Sequence, residues 1–155
     1  MIKTIIIIIL SFILESNLSI YIPLNTIFFH PIFVISSLII ISKLETSKNT
    51  FYFAALIIGL FYDLLFTNRL GFSILTFLLT AVFIKNINKI LKINFDFIKT
   101  IIVIIFYRII SYLILLLIGY LSLNIYKLCA SIYSSIVLNV LYVIILKKIF
   151  IRNNH

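Results

Sequence analysis

Negative charge is the scarcest thing in this chain: 155 residues contain 4 acidic side chains against 13 Lys and Arg, and charged residues of both signs make up only 11%. A soluble domain carries about a quarter charged residues, so the polar surface needed to coat a water-facing globule is missing. Glycine and proline are scarce as well, at 3 and 2, and Ile, Leu and Phe occur in unbroken runs rather than in strict alternation. That pattern fits helices better than the alternating strands of an outer-membrane barrel. The single cysteine, Cys129, excludes an intrachain disulfide. It lies in an apolar stretch without a second thiol or a nearby His, and is expected to be a small buried hydrophobe.

Signatures of catalysis are missing too. His30 and His155 are far apart and fit no metal-ligand spacing. No phosphate-cradling glycine loop and no nucleophile elbow occurs. The expectation is therefore a protein without enzymatic activity, cofactor or metal.

What is present is apolar length. Hydrophobic residues make up 64% of the chain and the mean hydropathy is +1.30. With about 20 residues per membrane span, residues 1–155 form one all-α integral membrane domain, a compact bundle of about six transmembrane helices. The expected spans are 4–22, 27–43, 50–66, 70–91, 97–120 and 126–148. Lys3 followed by Thr4 to Leu14 looks like the start of a signal peptide, but Glu15 interrupts it and no Ala-x-Ala-like cleavage site follows, so a retained first helix is expected. Pro31 is tolerated in the first turn of helix two.

Cytoplasmic loops retain Lys and Arg, and translocated loops are depleted of them. Under the six-helix reading, Lys3, Lys43, Lys48, Lys85, Lys89, Lys92, Lys99, Lys147, Lys148 and Arg152 share one side, and Arg69 and Lys127 the other. That bias places both termini inside. It also explains the basic charge better than nucleic-acid binding does, since the basic residues are dispersed through loops rather than gathered on one face.

Three charges fall within apolar spans: Glu15, Asp63 and Arg108. An ionised group at the membrane centre costs roughly 2.5 to 3.5 kcal/mol on insertion scales, so each needs partners. At about 1.5 Å per residue, Glu15 and Arg108 lie roughly 16 Å deep and Asp63 about 18 to 20 Å, and Arg108 is expected to pair with one of the two carboxylates in the bundle interior. Gly59 and Asp63, four apart, share a helix face on which the glycine admits a close backbone. Lys85, Lys89, Lys92 and Lys99 fall on one side of a helical wheel, an amphipathic basic face suited to anionic lipid or to an acidic cytoplasmic partner.

The stretch Phe51 to Ile84, FYFAALIIGLFYDLLFTNRLGFSILTFLLTAVFI, resembles the signature region of the rod-shape-determining MreD family. There an apolar helix carries Gly-x-x-x-Asp, followed by a short turn and a Leu-Gly opening the next helix. Gly59, Asp63, Leu70 and Gly71 carry that resemblance. An early acidic residue in helix one, a proline ahead of helix two and the lack of a soluble part agree with it.

The resemblance implies a non-catalytic, multi-pass subunit of the bacterial elongasome in the cytoplasmic (inner) membrane, supporting rod shape and lateral peptidoglycan synthesis. Its implied partners are a single-span MreC-like protein, the MreB filament, and RodA with its class B penicillin-binding protein. The substrate-binding (S) component of energy-coupling factor transporters is the alternative, being similarly small, basic and six-helical. Its family carries an Ala-x-x-x-Ala docking pattern on helix one, whereas helix one here has no Ala or Gly. A proton-coupled carrier using Glu15 and Asp63 would show internal repeats or broken helices of the kind many carriers have, and no convincing repeat is found.

Overall fold

The computed structural model of the chain describes residues 2–21, 31–45, 47–67, 71–91 and 96–151. Six α-helices account for nearly all of them: α1 Ile2–Tyr21, α2 Phe33–Leu44, α3 Lys48–Tyr62, α4 Phe72–Ile90, α5 Asp96–Leu117 and α6 Ile125–Phe150. A single π-helical turn, Asp63–Thr67, continues α3. No strand occurs among the described residues.

The short helix α2 is the axis of the bundle. Its sequence, FVISSLIIISKL, is apolar nearly all round, and every residue from Phe33 to Ser42 is buried, as expected of a helix with no polar face. It packs against each of the other five helices. Around it lie Ile7 of α1, Phe51, Ala55 and Ile58 of α3, Phe77, Ala81 and Ile84 of α4, and further core residues from α5 and α6. Phe83 and Phe106 stack with ring centroids 3.7 Å apart, joining α4 to α5.

The outer surface is apolar as well. Ile5, Ile9 and Ile13 on α1, Leu75, Leu79 and Val82 on α4, and Leu141 and Ile145 on α6 are all exposed. Among the described residues, four helical stretches are long and apolar enough to cross a bilayer: Lys48–Phe66, Phe72–Ile90, Asp96–Leu117 and Ile125–Phe150. A water-soluble bundle does not clothe itself this way, and the chain is a helical membrane protein.

The helix ends have local causes. Ile118–Gly119 closes α5 through a Schellman motif, in which Tyr120 N–H donates to Leu115 O at 2.9 Å and Gly119 N–H to Leu116 O at 3.0 Å, with Gly119 at φ 80. That stops α5 at Leu117, short of the expected 120. The Asn124 side chain caps α6 by accepting from Lys127 N–H at 3.1 Å. Helix α2 begins at Phe33; residues 27–30 of its expected span lie outside the described residues. Its 12 residues make a helix of about 18 Å, well short of the about 30 Å hydrocarbon core.

Candidate functional site

The Gly59 and Asp63 pair forms the joint between α3 and α4. A Cβ placed on Gly59 would meet Ile74 Cα at 2.8 Å and Ser73 O at 3.0 Å, so the glycine is what lets the start of α4 lie against α3. One turn further on, the fully buried Asp63 receives the backbone N–H groups that open α4. Its Oδ2 accepts from Gly71 at 2.8 Å and its Oδ1 from Ser73 at 2.8 Å, with a longer contact from Ile74 at 3.4 Å. The first N–H groups of a helix lack intrahelical partners and carry partial positive charge, so a carboxylate from the preceding helix satisfies both needs. Gly71 adopts φ 100, a conformation open to glycine and strained for other residues. Leu70 lies outside the described residues.

Glu15 serves a second helix start, that of α2. Its Oε2 accepts from Val34 N–H at 2.9 Å and its Oε1 from the Tyr62 hydroxyl at 2.7 Å. From the opposite side Asn139 Oδ1 accepts from Ile32 N–H at 3.1 Å and from Ser36 Oγ at 2.9 Å. Glu15 and Asn139 are both buried. The N-terminus of α2 therefore sits inside the bundle with its backbone donors satisfied by side chains of α1 and α6.

Arg108 does not join either carboxylate. Its Nε and Nη2 donate to Ser135 Oγ of α6 at 2.9 and 2.6 Å, and among the described residues no ion pair links it to Glu15 or Asp63. Backbone N–H groups and the Tyr62 hydroxyl hold the two carboxylates, and Arg108 acts on Glu15 through longer-range attraction rather than a direct ion pair. Nor are Glu15 and Asp63 brought together, since they serve separate helix starts.

The basic residues do not form one continuous face either. Helix α4 ends at Ile90, so Lys99 belongs to α5 and the helical wheel does not run through to it. Lys99 is buried and donates to Asn88 Oδ1 at 3.2 Å. Lys85 donates to the carbonyls of Ser42 and Glu45, each at 3.3 Å, and lies 4.8 Å from the centre of the Phe51 ring. Lys89 is exposed, and Lys92 lies outside the described residues.

In their place a compact charged cluster gathers one end of the bundle. Asp96, in the first turn of α5, pairs with Lys43 in the last turn of α2 and with Lys147 in the last turn of α6, the latter at 2.7 Å. An acid at a helix N-terminus and bases at two C-termini each complement the local helix dipole. At the same end the Thr4 hydroxyl donates to Glu45 at 2.6 Å, holding that carboxyl below its usual range.

Sequence reasoning missed Asp96, Asn139 and Ser135. The available signals were an acid opening an apolar helix, and an amide inside one. Cys129 is exposed on α6 rather than buried, on a helix whose outward face is apolar.

The described residues hold no cluster of three His, Cys, Asp or Glu side chains placed to bind a metal. Their carboxylates and amide hold helix ends in place. Among known proteins, the family model described as rod shape-determining protein MreD matches residues 1–152. No curated protein and no solved structure matches the chain.

Proposed function

The chain belongs to the MreD family of rod shape-determining proteins, and from that premise we propose that it is a non-catalytic scaffold of the bacterial elongasome. In this reading the bundle crosses the cytoplasmic membrane six times with both termini inside. The end gathered by Asp96 then faces the cytoplasm and the MreB filament. The α3–α4 joint faces the opposite side, where a single-span MreC-like protein, RodA and its class B penicillin-binding protein work on lateral peptidoglycan.

The observation that carries the scaffold reading is the use made of Asp63. In an apolar span an acidic residue is by default a candidate for ion or proton handling, yet here both its oxygens receive the opening N–H groups of α4. The family-like positions thus specify a fixed joint, which suits a docking surface better than a moving carrier.

Depletion of the protein in rod-shaped cells tests this reading. Cells that round up while small-molecule uptake stays normal support it. Unchanged shape with lost uptake of one small molecule overturns it in favour of a transporter component.

A further inference from the structure

Arg108 has a second neighbourhood besides Ser135. It lines a cavity of about 250 Å³ between α5 and α6, shared with Ser111, Tyr112, Ser122, Lys127 and Ser131. The cavity lies towards the end of the bundle opposite Asp96. We propose that it binds the phosphate of an anionic lipid headgroup.

The charge count makes the case first. The chain has 4 acidic residues, and none of them lines this cavity. Glu15 accepts from Val34 and Tyr62 and meets Arg108 only through longer-range attraction, Glu45 accepts from Thr4, Asp63 from the start of α4, and Asp96 holds Lys43 and Lys147. Two cations therefore share a cavity with no carboxylate among its lining residues. Lys127 is also placed where a cation is disfavoured, in the first turn of α6 at the positive end of the helix dipole. An anion in the cavity relieves both, and a neutral hydroxyl such as Ser135 does not.

The donors suit phosphate. Arg108 uses Nε and Nη2 on Ser135, and among the described residues no hydrogen bond involves Nη1, so it is anchored with donor capacity left over. Ser111 Oγ is buried on the same wall, within reach of the Tyr107 hydroxyl. The wall is fixed, because the Tyr112 hydroxyl accepts from Asn124 N–H and lies 2.9 Å from Ser122 O, pinning the α5–α6 connection over the cavity. Guanidinium, ammonium and hydroxyl donors converging on one space match an oxyanion with several acceptors.

The surroundings suit a lipid rather than a free ion. Leu115 and Leu121 complete the lining, and Leu117, Leu123, Ile125 and Tyr126 around the same turn are exposed. Basic pockets between transmembrane helices bind anionic headgroups on the cytoplasmic side of membranes, and the same donor chemistry is offered here at the other end of the bundle. The inference depends only on this cavity and not on the scaffold reading, so either can fail alone.

The test uses the full chain purified in a mild detergent, with lipid retention followed by native mass spectrometry. Phosphatidylglycerol, diacylglycerol and inorganic phosphate are the probes. Wild type should retain phosphatidylglycerol but not diacylglycerol. Lys127→Gln and Arg108→Gln should each weaken retention by about tenfold, as expected for losing one charged hydrogen bond, and the exposed Lys89→Gln should leave it unchanged. Lys127 is exposed, so its variant keeps the test open even where Arg108→Gln fails to fold. Equal retention by wild type and Lys127→Gln overturns the proposal, as does equal binding of diacylglycerol. Inorganic phosphate displacing the lipid at equal concentration would assign the site to a free anion and overturn the lipid source. Unchanged lipid retention in Lys127→Gln with lost capture of a single-span partner would assign the cavity to a partner's carboxylate.

Discussion

Gly59 and Ile74 touch backbone to backbone: any Cβ at residue 59 would stand 2.8 Å from Ile74 Cα. Because the obstacle is main chain, a rotamer change cannot relieve it, and the two helices must separate. Gly59→Ala gains up to about 1 kcal/mol in helix propensity but incurs an overpacking cost of about 1 to 3 kcal/mol. The net expectation is destabilisation, read as a lower unfolding midpoint in detergent. A rise in that midpoint would mean that α3 and α4 slide apart without cost.

Asp63→Asn leaves one carbonyl oxygen and turns the other acceptor into an amide donor facing either Gly71 or Ser73 N–H. Losing one acceptor for a buried donor costs about 1 to 3 kcal/mol, and the charge that complements the α4 dipole is lost with it. Stability should fall, and affinity capture of the single-span partner should weaken more than for Glu45→Gln, which alters the charged end of the bundle. Equal effects on capture would remove the case for the α3–α4 joint as part of a docking surface.

Asp96 makes two ion pairs, but the Lys43 and Lys147 side chains remain 27% and 35% exposed. Solvent screening therefore keeps the expected loss for Asp96→Asn near the upper end of surface pairs, about 1 kcal/mol. A double-mutant cycle with Lys147→Met should show coupling that shrinks as salt is raised. Additive effects at low salt would mean that the pair contributes nothing.

How much of this was legible in the sequence differs from residue to residue. The face shared by Gly59 and Asp63 follows from a spacing of four, a property of one helix, and the structure places both against α4. The central position of α2 was not legible, because an apolar helix in a membrane protein can face lipid as well as core, and α1 carries an equally apolar run whose Ile5, Ile9 and Ile13 are exposed. The Asp96 cluster was not legible, because Lys43, Asp96 and Lys147 meet only once three helix ends have converged. The four-lysine face misled for a related reason: a wheel assumes a continuous helix, and α4 stops at Ile90. Arg108 was read as needing a directly bonded carboxylate, and the backbone N–H groups and Tyr62 hydroxyl that hold those carboxylates leave no mark in composition.

The buried start of α2 supplies the sharpest local test. At an ordinary helix N-terminus the first N–H groups are bonded to water and exchange quickly. Here Val34 N–H is held by Glu15 and Ile32 N–H by Asn139, so both amides should be protected from hydrogen exchange although neither has an intrahelical acceptor. Glu15→Ala should remove the protection at Val34, and Asn139→Ala that at Ile32, each lowering stability by about 1 to 3 kcal/mol for a stranded buried donor. Glu15→Gln keeps an acceptor oxygen and should cost less than Glu15→Ala. Fast exchange at both positions in the unmodified protein would show that water reaches the start of α2, and that these side chains do not hold the central helix.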